Sequence, residues 1–273
     1  MGKAEKMVAT ATPISGSATV QGVLWSGDAQ TWADLQEPTR RPLWTAMLDA
    51  AGVGPGTRLL DAGCGAGGAS RLAADRGARI GGLDAAPAMI EIARERILTG
   101  DFRVGELQEL PYADGSFDVV FACNAVQYAT DPVAALREFG RVCSPDDRVV
   151  VAIWAEAEKC EYRDFMAAIR DSLPTPPAGG GPFALSAPGV LEGMVEQAGL
   201  TVIATGKAEC PFEYPNPETA WIAGRSGGPV QGALRQVDEA TLRSNVLAAI
   251  ARYRTSTGAV RIENAFRIVT ARP

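Results

Sequence analysis

Between residues 57 and 155, short apolar runs alternate with segments of helical period, and this alternation constrains the fold more than any other feature of the chain. "TRLLDAG" reads as a buried strand, followed by a helix from about Gly67 to Arg76. "ARIGGLD" is a second strand and "PAMIEIARERIL" a second helix, with Met89, Ile90, Ala93 and Ile97 sharing a face. "DFRVGEL" is a third, shorter strand, and "FDVVFACN" a fourth after the turn "YADGS". "DPVAALREFGRVC" is a helix opened by an Asp cap and a first-turn Pro, and "RVVVAIWAE" is a fifth strand. Strand and helix in strict alternation require right-handed crossovers, so an α/β fold is predicted, a parallel sheet with helices on both faces.

The flanks read differently. Residues 25–51 pattern as one or two amphipathic helices broken near Pro38 and Pro42. Residues 156–200 look like an insertion after the fifth strand, with helices in "YRDFMAAIRDSL" and "APGVLEGMVEQAGL" and a turn-rich "PTPPAGGGP" between them. Residues 201–212 and 259–271 have strand character, and "EATLRSNVLAAIARYR" is helical between them. With 273 residues, 47% of them hydrophobic, one elaborated domain over 21–273 is expected. Residues 1–20 are expected to be a disordered leader, because Glu5 and the threonines and serines make a poor signal-peptide core.

Charge and composition exclude several functions. A net charge of −6 argues against a surface that tracks nucleic acid or an anionic membrane. No apolar run is long enough for a membrane span, and a cytoplasmic location is expected. Five cysteines form no CxxC pair and histidine is absent, so no metal site is expected. The missing histidine also removes the commonest general base. The sequence carries no signature of oligomeric state.

Binding chemistry is expected at "LLDAGCGAGG", residues 59–68. Gly63, Gly65 and Gly68 fit GxGxxG, while Gly63, Gly65 and Gly67 fit GxGxG. In either spacing a strand ends, the backbone turns where side chains would collide with a ligand, and a helix begins with its free N–H groups pointing inward. Asp61 separates the possible ligands: it would repel a dinucleotide pyrophosphate and attract a cation. S-adenosylmethionine offers an ammonium and a sulfonium and no phosphate, and is therefore favoured over NAD. Asp84 ends the second strand, where an acid can accept from both ribose hydroxyls. Glu106 follows the third strand, where it can accept from an adenine amino group, and Asn124 ends the fourth at the ligand-binding edge of the sheet.

The segments "LLDAGCGAGG", "GGLDAAPAMIEIARER", "GELQELPYADGSFDVVFACNAVQY" and "PVAALREFGRVCSPDDRVVVAIW" resemble the successive motifs of class I S-adenosylmethionine-dependent methyltransferases, of the small-molecule subgroup similar to ubiquinone/menaquinone methyltransferases. The resemblance spans roughly residues 25–155. It implies a Rossmann-like seven-stranded, mostly parallel sheet whose antiparallel last strand and sixth strand come from 259–271 and 201–212. It also implies that Asp61, Gly63, Gly65 and Gly67 line the methionine half of the cofactor, with Asn124 near it. Asp84 would bind the ribose, Ala85 and Met89 would lie against the adenine, and Glu106 and Leu107 would recognise its edge. S-adenosylhomocysteine would be the product. "CSPDD" departs from the family's usual Pro-Gly-Gly turn before the fifth strand.

Methyl transfer from a sulfonium needs alignment and exclusion of water more than acid–base chemistry, which suits a chain without histidine. If the acceptor needs deprotonation, Tyr128 and Glu156, and then Tyr162, are the candidates. "NAVQ" at 124–127 is not the Asn-Pro-Pro-aromatic motif of similar enzymes that methylate planar amino groups, so Gln127 and Tyr128 would face a different acceptor. Trp25, Trp32, Phe183 and Tyr162 mark the N-terminal helices and the insertion as a cap, with Trp25 and Trp32 forming a lid. The expected partner is a small, largely apolar molecule methylated on oxygen or carbon. The 22 arginines against 4 lysines suggest a GC-rich bacterial gene and so a role in secondary metabolism. The alternative is a protein that holds the cofactor structurally while catalysing a cyclisation or rearrangement.

Overall fold

The computed structural model describes residues 16–176 and 181–273. Helix α1 (Ala18–Trp25) and the single turn α2 (Ala29–Thr31) lead through a π-turn at Trp32–Gln36 and a 3-10 turn at Glu37–Arg40 into α3 (Arg41–Ala51). The expected break near Pro38 and Pro42 is thus a change of winding between consecutive helical turns. Pro42 sits in the first turn of α3, where a missing N–H costs nothing, and Gly52 ends the helix in the left-handed conformation. The expected leader over 1–20 needs correction: Ala18–Val20 belong to α1, while residues 1–15 lie outside the described residues.

The alternating region folds as predicted. It comprises β1 (Arg58–Ala62), α4 (Gly68–Asp75), β2 (Arg79–Asp84), α5 (Pro87–Arg96), β3 (Asp101–Val104), β4 (Phe117–Cys123), α6 (Pro132–Val142) and β5 (Cys143–Trp154). All five strands pair in parallel. Asp131 caps α6 by accepting the Val133 and Ala134 N–H groups at 3.0 Å. "CSPDD" forms the start of β5 and is taken up by a register shift between Phe117 and Val119. The remainder adds α7 (Tyr162–Ser172), α8 (Val190–Gln197), β6 (Thr201–Glu209), β7 (Phe212–Tyr214), α9 (Pro217–Arg225), α10 (Gly228–Ala233), α11 (Glu239–Ile250), β8 (Val260–Ile262) and β9 (Ala265–Arg272).

The seven-stranded sheet runs β3-β2-β1-β4-β5-β9-β6, with β9 antiparallel to both its neighbours. Burial follows the period of two expected of a sheet covered on both sides. Leu60, Val120, Val149 and Val151 pack with Leu136 and Phe139 of α6 and Leu191 of α8. Leu59, Phe121, Val150 and Ala152 pack on the other face with Leu43, Met47 and Leu48 of α3 and Ile90 of α5. Each such fully buried aliphatic or aromatic side chain contributes about 1.5–3 kcal/mol.

Two expectations for the C-terminal third are revised. Residues 259–271 form two strands, because the chain turns at Glu263–Asn264. Buried Asn264 holds that turn, accepting the Tyr162 N–H at 3.1 Å and donating to the Ile262 carbonyl at 3.0 Å. Residues 201–212 likewise stop at Glu209, and Phe212 starts a two-stranded sheet of β7 and β8. Helices α9 and α10 were not anticipated.

Candidate active site

Beyond β1 the chain turns through Gly63 and Gly65, both at positive φ (83° and 53°). The Gly63 and Cys64 N–H groups both donate to the Leu83 carbonyl, at 2.7 and 3.0 Å, pinning the loop to β2. A Cβ on Gly63 would stand 2.3 Å from that of Ala125, so only glycine fits. Asp84, at the end of β2, accepts the Gly65 N–H on Oδ2 and the Ala86 N–H on Oδ1, both at 2.9 Å. Each oxygen keeps a further lone pair for a ligand.

The loop opens onto a cavity of about 630 Å³ lined by Gly63, Gly65, Asp84, Ala85, Met89, Glu106, Leu107 and Asn124, together with Trp25, Trp32 and Tyr128. Two expected cofactor residues do not line it. Asp61 lies beneath the loop, where it accepts the Ser70 hydroxyl at 2.7 Å. Burial pushes its carboxyl up to about 7, against the Ser70 hydrogen bond and with help from the charges of Glu37 and Asp84. Gly67 caps α4 and faces Ala93.

Sequence reasoning missed the residues that brace the loop from behind. Glu37, 4% exposed, accepts the Ala66 N–H at 2.8 Å and pairs with Arg96 at 2.7 Å. Arg96 also donates to the Ala33 and Ala66 carbonyls, both at 2.9 Å. Desolvation raises the Glu37 carboxyl while Arg96 opposes it. No local pattern reveals this pair, because its partners lie on separate elements.

Helix α1 roofs the cavity. The Ala18 N–H donates to Glu106 at 2.7 Å, and the Ser17 hydroxyl reaches the same carboxylate at 3.0 Å. Gly22 lets α1 approach the Ala85 carbonyl so closely that a Cβ would stand 2.4 Å from it. Trp25 meets Trp32 edge-on at 4.7 Å and Tyr128 at 5.7 Å. Trp25 and Trp32, the residues expected to form a lid, both line the cavity.

Past Trp25, Trp32, Asn124 and Tyr128 lies a second chamber of about 460 Å³, lined also by Arg40, Trp154, Tyr162, Met166 and Pro182, and by Gly224, Gly227, Pro229 and Val230. Tyr162 stacks on Trp154 at 5.5 Å. The α9–α10 segment thus contributes to this wall, which sequence reasoning gave to the N-terminal helices and the 156–200 insertion alone. Arg40 sits over the Trp32 ring at 4.6 Å and the Phe212 ring at 5.1 Å. Such cation–π contacts supply about 0.5–2 kcal/mol, less than the several kcal/mol that a buried ion costs.

The expected catalytic and acceptor residues divide. Tyr128 lines both chambers, with burial pushing its phenol up to about 12. Tyr162 lines the second, its phenol raised well above the usual range by burial. Glu156 lines neither; it turns toward Lys207 on β6 at 3.7 Å. Gln127 lines neither cavity, donating to Asn124 Oδ1 at 3.4 Å. Phe183 packs on Trp154, its centroid 5.4 Å away, behind the chamber wall. Asn124, at φ 52°, carries a buried Nδ2 with no partner.

Residues 60–151 match the family described as a methyltransferase domain. The core of the chain is similar to class I methyltransferase domains. The chain is 34% identical over 131 residues to a malonyl-acyl-carrier-protein O-methyltransferase of Serratia marcescens, covering 48% of this chain and 51% of that protein. It is 37% identical over 130 residues to a demethylmenaquinone methyltransferase of Renibacterium salmoninarum, covering 48% and 50%. The chain thus spans about half the length of these curated relatives. The cyclase SpnF shares the fold, with a TM-score of 0.57 at 20% identity over 96% of this chain and 98% of that one.

The residues present fit S-adenosylmethionine. Asp84 offers free lone pairs, and Asn124 Nδ2 is an unfilled donor at the cavity wall. Asp84 places a carboxylate on the cavity wall, which suits a cationic ligand. Among the described residues no cluster of metal-ligating side chains occurs, and no helix is long and apolar enough to cross a membrane.

Proposed function

We propose that the protein transfers a methyl group from S-adenosylmethionine to oxygen or carbon of a small, largely apolar molecule. The observation that carries this reading is the adjacency of the two chambers, which share Trp25, Trp32, Asn124 and Tyr128 in their walls, so that an aromatic cavity lies directly beside the glycine-loop cradle. When bound, S-adenosylmethionine supplies a methyl carbon already activated by a sulfonium. Asp84 would hold the ribose and the backbone around Gly63 and Gly65 the methionine half, with Ala85 and Met89 against the base. Trp25 and α1 exclude water, and Tyr128 orients the acceptor at the junction. The relative named for demethylmenaquinone methylation supports a small acceptor. A role in secondary metabolism is part of the same proposal.

Isothermal titration with S-adenosylmethionine, S-adenosylhomocysteine and NAD tests the reading: the adenosyl ligands are expected to bind, and NAD is not. Binding of NAD alone would overturn it. One observation favours a second reading, in which the cofactor is structural and the chamber promotes cyclisation: among the described residues, no carboxylate and no histidine lines the second chamber. Methyl-labelled S-adenosylmethionine separates the two, because only the first puts label into product.

A further inference from the structure

The second chamber holds one full charge, and it is positive. Arg40 is 8% exposed, and one of its N–H groups donates to the Gln36 carbonyl at 3.1 Å. Glu37, three residues before it, hydrogen-bonds Ala66 and Arg96 and reaches Arg40 only through a weaker charge attraction. No carboxylate lines the chamber among the described residues. Asn124, whose Nδ2 is buried and unpartnered, also lines this chamber. The rings of Trp32 and Phe212 compensate the guanidinium only in part. A planar fork of donors inside an aromatic box matches an oxygen anion on an apolar body.

We propose that Arg40 recognises the acceptor, and that the acceptor carries an oxyanion, a carboxylate, enolate or phenolate oxygen, on an apolar frame of one or two rings. This rests on the methyl-transfer reading and narrows its substrate class. It also accounts for the missing base. An acceptor held ionised by Arg40 has no proton to lose, so the raised phenols of Tyr128 and Tyr162 and the outward-turned Glu156 are not required to take one. The walls formed by Trp154, Tyr162 and Met166 take the apolar frame, while Arg40 fixes the end that carries charge.

The test uses the full chain saturated with S-adenosylhomocysteine and titrated calorimetrically with benzoate and benzamide, which share a shape and differ in charge. Benzoate is expected to bind at least about tenfold more tightly. Arg40→Met is expected to erase that preference while S-adenosylhomocysteine affinity stays within about twofold. If methionine is not tolerated, Arg40→Lys serves, with a reduced preference that persists because the charge is kept. Equal affinity for acid and amide, no saturable binding of benzoate, or a preference unchanged in the Arg40 variant overturns the proposal. Failure of S-adenosylhomocysteine to bind the wild type overturns the methyl-transfer reading instead.

Discussion

The Glu106 carboxylate accepts the Ala18 N–H at 2.7 Å, so an acid just past β3 caps a helix that begins 88 residues earlier in the chain. An anion at a helix N-terminus contributes about 0.5–2 kcal/mol. Glu106→Gln is therefore expected to loosen α1 by about 1 kcal/mol, read as faster amide exchange over Ala18–Trp25. Because α1 roofs the adenosyl cavity, S-adenosylhomocysteine affinity should fall about fivefold in the same variant.

Asp84 has two tasks that different measurements separate. Asp84→Ala frees the Gly65 and Ala86 N–H groups and removes the free lone pairs facing the cavity. Affinity for S-adenosylhomocysteine is expected to drop more than about tenfold by calorimetry, and stability by about 1–3 kcal/mol by urea unfolding.

Asp61 gives the protein a pH signature. Its carboxyl is raised in the folded state to about 7 from an ordinary 3.8, so the folded protein binds this proton more tightly than the unfolded chain. The stabilising contribution is complete below about pH 4 and is lost as pH rises through about 7. Urea midpoints are expected to fall from pH 5 to pH 8 more steeply in the wild type than in Asp61→Asn. Glu37 and Asp84, also raised, add slope of the same sign that the variant keeps.

Glu37→Gln leaves Arg96 without its charge partner behind the glycine loop. Breaking a buried pair from one side costs about 3–5 kcal/mol, reduced here because Arg96 remains 29% exposed; a loss of about 2–4 kcal/mol is expected in urea unfolding.

Asn124 sits at φ 52°, a region that costs a residue with a Cβ about 1–2 kcal/mol. Asn124→Ala should destabilise by about that much and Asn124→Gly by less, while both weaken adenosyl binding by removing Nδ2 from the cavity wall. Wild-type affinity in Asn124→Gly would show that the amide is there for the turn alone.

The sheet was legible because strands buried on both faces read as continuous apolar runs, and β1, β4 and β5 are such runs. The glycine loop and Asp84 were legible because steric need and strand order fix their place. Glu37, Arg40 and Arg96 were not, since charged residues on an amphipathic segment read as solvent-facing until distant partners bury them. Asn264 defeated the reading of 259–271 in the same manner: its bonds to Tyr162 and Cys210 come from elsewhere in the chain. Gly224, Gly227 and Gly228 concealed α9 and α10 behind turn-like composition.

Strand β9 is hydrogen-bonded along one edge to β5 and along the other to β6. During synthesis, β6 leaves the ribosome with no partner in this sheet, and β5 has a bare edge, until residues 265–272 follow. The five parallel strands can assemble earlier, whereas β6 waits for a later segment to join the sheet. A stalled or clipped chain therefore offers two unsatisfied strand edges side by side, the kind of surface that chaperones hold and that otherwise pairs with another copy.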